Sequence, residues 1–145
     1  MIARIQPFSL LLIRLVAGAV FIMHGWQKLS TQGLPATAEG MEQMGVPSPT
    51  LAAYYATFVE LIGGAALVLG ALLPLAGVLL TADMVGALIF VHAPEGFFLP
   101  AGYEFVVVLA AVSLGIGFSG GGALAVDSLI PGLRAKTTTG DTTAT

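Results

Sequence analysis

Apolar positions along the chain gather into four runs, Phe8 to Trp26, Leu51 to Leu73, Leu75 to Ala93 and Tyr103 to Phe118, separated by glycine, proline and the few charges. The first three hold 19, 23 and 19 residues, about 28 to 35 Å of helix at 1.5 Å per residue, which matches a hydrocarbon core of roughly 30 Å. The fourth is shorter and borrows Leu99 to Gly102 at its start. The pattern predicts an all-α fold, a four-transmembrane-helix bundle. Only Pro74 separates the second and third runs, so these spans are read as antiparallel neighbours joined by a very tight turn. Between Ser30 and Thr50, Pro35 offers a helix start, Leu34, Ala38 and Met41 share a face, and Gly45 with Pro47 ends it, which predicts a short interfacial helix in the outer loop. Beyond the fourth span, Ser119 to Gly122 break the helix and Ala123 to Ile130 form an amphipathic piece with Asp127 outward. Residues 137–145 are small, polar and aperiodic and read as a disordered tail, leaving 1–136 as one domain.

Composition narrows the class. Of 145 residues 57% are hydrophobic and 9% charged, against roughly 25% charged in soluble globules. With a mean hydropathy of +0.95, a soluble enzyme is excluded. A net charge of −3 and a pI near 5.1 supply no basic patch, so no nucleic-acid partner is expected. Zero cysteines exclude a disulfide framework, a thiolate metal site, an iron–sulfur cluster and a dithiol relay carried by this chain. Any redox chemistry therefore needs a bound cofactor or a partner protein. Arg4, Arg134 and Lys136 flank the termini while Lys28 alone stands on the other side, so both termini are expected in the cytoplasm of a bacterial cell (inner) membrane. Arg14 inside the first run, and the spans that follow, argue against a cleaved secretory signal.

Three charges lie within the runs. Arg14 is about 9 Å in from Phe8, Asp83 about 12 Å in from Leu75 and Glu60 roughly 14 Å in from Leu51. A charge at the bilayer centre costs on the order of 3 kcal/mol by insertion scales and needs a partner or a task. Arg14, Glu60 and Asp83 are therefore read as a buried charge network, with Arg14 and Glu60 paired. Internal staples that fix which helix packs where would explain the same residues. Helical spacing sets Arg14, Gly18, Phe21, Gly25 and Lys28 on one face and Ala53, Ala56, Glu60, Gly63, Leu67 and Gly70 on another. On the fourth span the same reasoning selects Glu104, Val108, Ala111 and Gly115.

A second cluster gathers at the outer end. His24 and Lys28 are one turn apart, His92 and Glu95 close the third span, and Glu104 opens the fourth. Imidazoles, an amine and carboxylates at this depth suit a quinone head group or proton-coupled work, because they donate hydrogen bonds and change protonation near neutral pH. His24, Lys28 and Glu104 are the predicted ligand-binding trio, with an apolar slot from Phe21, Phe90 and Phe97; His92 and Glu95 form a secondary site. An interfacial ion pair between Lys28 and Glu104, with histidines that merely pack, accounts for the same residues. His92 follows Asp83 by nine residues, about 180° around an α-helix, so both face one cavity only if the helix end is distorted. No metal site is assigned, since haem or metal would need both histidines to aim at one ion. Trp26 and Tyr103 fit an aromatic belt.

Taken in order, Arg14, the HGWQKL run at 24–29, GVPSP at 45–49, E-x-x-G-G-x-x-L-x-x-G from Glu60 to Gly70, Glu104 and the terminal GGGALAVDSL resemble the DoxX family of small bacterial membrane proteins. The resemblance spans Arg14 to Leu129. It implies four transmembrane helices and a role in quinone-linked membrane oxidoreductase complexes and oxidant resistance, with quinone as cofactor and redox proteins as partners. Arg14, His24, Lys28, Glu60 and Glu104 carry over; Asp83 and His92 rest on the residue reading. A proton or small-solute carrier and a non-catalytic assembly partner are the other classes the residues allow.

Overall fold

The computed structural model describes residues 2–129. Ile130, Arg134, Lys136 and the tail at 137–145 lie outside the described residues. Helix α1 (Ile2–Trp26) runs without a break into a π-helical turn at Gln27–Gln32 and stops at Gly33, whose φ of 82° leaves the helical region. Helix α2 (Leu34–Gln43) is the short helix expected in the loop, opened by Pro35. Helix α3 (Pro49–Phe58), a π turn at Val59–Gly63 and helix α4 (Gly64–Leu69) form one continuous rod. Helix α5 (Leu73–Ala87) continues through a π turn at Leu88–His92 and a 3-10 turn at Ala93–Glu95. Helix α6 (Glu104–Ser119) comes last, followed by a 3-10 turn at Val126–Leu129. Three helical stretches are long and apolar enough to cross a bilayer, Arg4–Gln32, Pro49–Leu69 and Leu73–Glu95 at 29, 21 and 23 residues. The fourth, Glu104–Ser119, is apolar but has 16 residues.

All described secondary structure is helical. α5 packs on α6, and α1 packs on α4 and the π turn before it. The α1–α4 contact is backbone against backbone: a Cβ on Gly18 would stand 2.6 Å from the Gly64 carbonyl oxygen, and one on Gly64 would stand 2.8 Å from that of Gly18. Where lipid supplies no hydrophobic drive between helices, such close approach provides the dispersion contacts that hold them together. Phe21, Leu67, Leu73 and Leu80 fill the interior, while Phe8, Met23, Ile62 and Phe118 point outward. Large apolar side chains on that outer surface are what a lipid-facing bundle requires.

The first two predicted faces are found buried. Arg14, Gly18, Phe21 and Gly25 lie inside, as do Ala53, Ala56, Glu60, Gly63, Leu67 and Gly70. The fourth is corrected: α6 buries Val106, Leu109, Ser113, Ile116 and Gly117, while Val108, Ala111 and Gly115 are exposed. A run apolar on every side offers spacing arguments almost nothing to phase it.

The end holding the turn between α4 and α5 needs two further corrections. Pro74 is not the turn but part of the first turn of α5; the reversal is made by Gly70 and Leu72, both left-handed with φ of 69° and 51°. Asp127 does not face outward. It is 6% exposed, and its carboxylate accepts hydrogen bonds from the Leu72 and Leu73 amides at 2.8 and 2.9 Å. The first amides of a helix have no partner within it, so the returning segment supplies one. The Asp127 amide in turn donates to the Gly70 carbonyl (2.9 Å).

Arg14 completes this clasp and is not paired with Glu60. Its guanidinium is fully buried and donates to the carbonyls of Gly121 (2.7 Å) and Ala123 (3.2 Å), with Asp127 within electrostatic reach. The Ala123 amide donates to the Pro7 carbonyl (2.9 Å). Gly70 is required here, because any Cβ would collide with the guanidinium. The predicted network thus divides: Arg14 staples residues 121–127 across one end of the bundle, and Glu60 and Asp83 belong to the other half.

Candidate functional site

Toward the opposite end, the helices enclose a cavity of about 870 Å³. Its walls are largely apolar: Phe21 from α1, Met41 and Met44 beneath α2, Ala52 and Ala56 from α3, Met84 and Phe90 from the third rod, and Phe105, Val106 and Leu109 from α6. Polar side chains reach it at a few points, namely His24, Lys28, Gln32, Thr37, Tyr55, Glu60, Asp83 and His92. Mostly apolar lining with a handful of convergent polar groups is the usual make-up of a small-molecule site.

The polar floor is built by helix distortions. Each of the three π turns carries a cavity residue: Lys28 in Gln27–Gln32, Glu60 in Val59–Gly63 and His92 in Leu88–His92. A π turn accommodates an extra residue and so shifts the phase of everything beyond it, which is why such turns recur at functional sites. Asp83 and His92 line the same cavity for this reason, although a straight α-helix would set them on opposite faces. The distortion immediately precedes Pro94, whose missing N–H and ring disfavour a regular α-helix over the preceding turn.

Lys28 Nζ donates to Glu60 Oε2 at 2.5 Å, with Lys28 21% and Glu60 4% exposed at the side chain. The Asp83 carboxyl lies within hydrogen-bond reach of that of Glu60. Asp83 is 8% exposed, and its Oδ2 is buried with no hydrogen-bond partner among the described residues. His24 lines the wall with its ring centroid 6.3 Å from that of Phe105. His92 Nδ1 donates to the Ala101 carbonyl (2.6 Å). Tyr55 Oη donates to the Leu79 carbonyl at 3.0 Å.

The predicted trio is therefore rearranged. His24 and Lys28 share the cavity, but Glu104 is not on its wall; its carboxylate accepts from the Leu99 amide (2.9 Å) and holds the loop before α6. Glu60 takes the position beside Lys28 that Glu104 was expected to fill. The secondary site separates too, since His92 lines the cavity and Glu95 is exposed at the rim, off the cavity wall. Phe21 and Phe90 supply apolar wall as expected, whereas Phe97 stacks edge-on with Phe98 and Tyr103, and Phe105 stands in the cavity instead. Gln32, Thr37 and Tyr55 line the cavity with no sequence signal. The Lys28–Glu60 partnership arises because the first helix does not stop with its apolar run at Trp26 but continues through Gln32, which brings Lys28 beside Glu60. Among the described residues no group of three or more His, Asp or Glu is arranged to hold a metal ion.

Long apolar helices, outward apolar side chains and backbone contact through small residues define a helical integral membrane protein. The chain belongs to the DoxX family, whose model matches residues 9–93. It is 31% identical over 120 residues to the Bacillus subtilis protein named "Putative oxidoreductase CatD", a match covering 83% of this chain and 85% of that one. A Haemophilus influenzae protein without an assigned activity is 31% identical over 127 residues, 85% of this chain and 91% of its own length. The uncharacterized membrane protein Rv3486 of Mycobacterium tuberculosis is 35% identical over 95 residues, 63% of this chain and 58% of that protein. No solved structure matches the chain significantly.

Proposed function

We propose that this protein is a quinone-binding subunit of a membrane oxidoreductase complex, crossing the bacterial inner membrane four times with both termini in the cytoplasm. The observation that carries the reading is the cavity: apolar walls suited to a prenyl chain and an aromatic ring, ending on Lys28, Glu60 and Asp83 with His24 and His92 beside them. A quinone supplies two-electron, two-proton chemistry when bound. This chain's own contribution is to bind the ring, exclude water through Phe21, Phe90 and Phe105, and present proton-carrying groups at its oxygens. Without cysteine, the chain relies on a partner redox protein for electrons. The oxidoreductase name of the Bacillus subtilis relative points the same way.

One observation favours a second reading, a proton or small-solute carrier: Glu60 and Asp83 lie together inside the helical bundle, and buried acids also mark permeation paths. Binding separates the two readings. Purified protein in nanodiscs is titrated with a short-chain quinone pair under oxidising and reducing conditions, comparing wild type with His24→Ala and Lys28→Met variants whose helicity and melting are checked. Weakening by about tenfold or more in either folded variant is expected, the usual effect of losing one good polar contact. If wild type binds neither redox form, or both folded variants bind as wild type does, the quinone reading is overturned.

A further inference from the structure

We infer that Gly86 sizes the polar end of the cavity: the side chain it lacks makes the room for the ligand ring, and this one position decides how wide a ring is admitted. This rests on the quinone reading above and adds a specificity determinant to it.

Glycine is among the poorest residues for a helix interior, so a helical glycine needs a reason to be there. Among the described glycines, all but Gly40, Gly86 and Gly115 either adopt a positive φ or stand where a Cβ would come within 3.2 Å of a neighbour. These three have helical backbones, and a Cβ on any of them would meet nothing within 4 Å beyond the backbone of its own helix. Neither a turn nor a helix contact explains them. Gly115 is exposed on the outer surface of α6, whereas Gly40 and Gly86 are half-buried and line the cavity. The space left beside those two is the cavity itself.

Position singles out Gly86. Gly40 lies on α2, which covers the cavity. Gly86 comes one turn after Asp83 and one turn before Phe90, and all three line the wall. At 1.5 Å per residue it stands about 4.5 Å along the rod from Asp83, the level a ring takes when its oxygen meets the polar groups of the floor. Helical side chains lean toward the amino end of their helix, so one added at this position leans back over the turn that carries Asp83 and takes the ring's place. Bare backbone there leaves a ring a flat wall to lie against.

The test uses the full-length protein in nanodiscs and two short-chain probes, a trimethylated benzoquinone and a naphthoquinone, whose fused second ring makes it wider. Both are titrated by calorimetry against wild type, Gly86→Ala, Gly86→Leu and Gly115→Leu. Wild type is expected to bind both probes. Gly86→Ala is expected to melt at or above wild type, since alanine favours a helix and its Cβ meets no neighbour, and yet to bind the naphthoquinone about threefold or more weakly. Gly86→Leu is expected to weaken the naphthoquinone by about tenfold or more and the benzoquinone by less, as extra methylene groups in a binding pocket do. Gly115→Leu, on the outer surface, is expected to leave both affinities as they are. A glycine needed only to ease the π turn at Leu88–His92 would give a different result, a lower melting temperature and equal losses for both probes. That result, unchanged naphthoquinone binding in both Gly86 variants, the same loss in Gly115→Leu, or a wild type that binds the benzoquinone alone overturns the inference while the quinone site stands. Failure of wild type to bind either probe overturns both. If Gly86→Leu does not fold, Gly86→Ala decides.

Discussion

At Lys28 and Glu60 the balance between desolvation and attraction is uneven. Glu60 is nearly enclosed while Lys28 keeps a fifth of its side chain accessible, so the carboxylate depends on the amine more than the reverse. Removing one member of a buried pair leaves an uncompensated charge, whereas removing both leaves none. Lys28→Met is therefore expected to lower stability by about 3 kcal/mol, with the Lys28→Met, Glu60→Gln double variant recovering most of the loss. Arg14 and Glu60 share no hydrogen bond or salt bridge, and Arg14→Leu combined with Glu60→Gln is expected to show additive losses. Thermal melts in detergent check both cycles. Additivity at Lys28 and Glu60, or coupling between Arg14 and Glu60, would contradict the arrangement described.

The elements owe their ends to distant parts of the chain. α5 begins on a left-handed Leu72 with no side-chain cap of its own, and Asp127, 54 and 55 positions further on, accepts from its first amides. Asp127→Ala is expected to cost about 1 to 2 kcal/mol, the upper part of the range for losing an N-cap, because the cap is buried. Hydrogen exchange gives the local signature: the Leu72 and Leu73 amides should exchange faster while those near Leu80 stay protected. Unchanged protection at Leu72 and Leu73 would mean that the cap contributes nothing. The π turns show the converse limit. Hydrophobic spacing located the helices that contain them, yet a π turn has no hydrophobic period of its own; Pro94 marked the third turn, while nothing marked the first two, so the phase of Lys28 toward the cavity was not legible.

For the molecule as a whole, the proposal of four spans with both ends on one side rests on an even number of apolar runs and on arginine and lysine near the termini. The demanding element is α6, whose 16 residues make about 24 Å, less than a hydrocarbon core of roughly 30 Å. Residues 97–103 before it are tied back by Phe97–Tyr103 packing, by the Glu104 amide donating to the Phe97 carbonyl, and by the Glu104 carboxylate, and are positioned to make up that length. Reporter fusions at the carboxyl end and in the α2 loop are expected to give opposite readouts, cytoplasmic for the first and periplasmic for the second. The same side for both would remove one span from the topology.

Run length and hydropathy determined a helical membrane protein, and the absence of cysteine determined that it has no thiol chemistry of its own. In hydrocarbon every backbone amide must be paired within its own segment, so an apolar run of sufficient length has few alternatives to a helix. Spacing also determined which faces of the first two rods turn inward, because Arg14, Glu60 and the glycines mark them. Partnerships were decided by tertiary structure. Arg14 meets Gly121 and Ala123 rather than Glu60, Lys28 meets Glu60 rather than Glu104, and α6 turns a face that no polar residue but Ser113 announces. Which charges meet depends on the relative depth and rotation of whole helices. Those are set by glycine contacts such as Gly18 with Gly64, by the phase shifts of the π turns and by the returning segment at 121–127, and they exist only once the helices are packed.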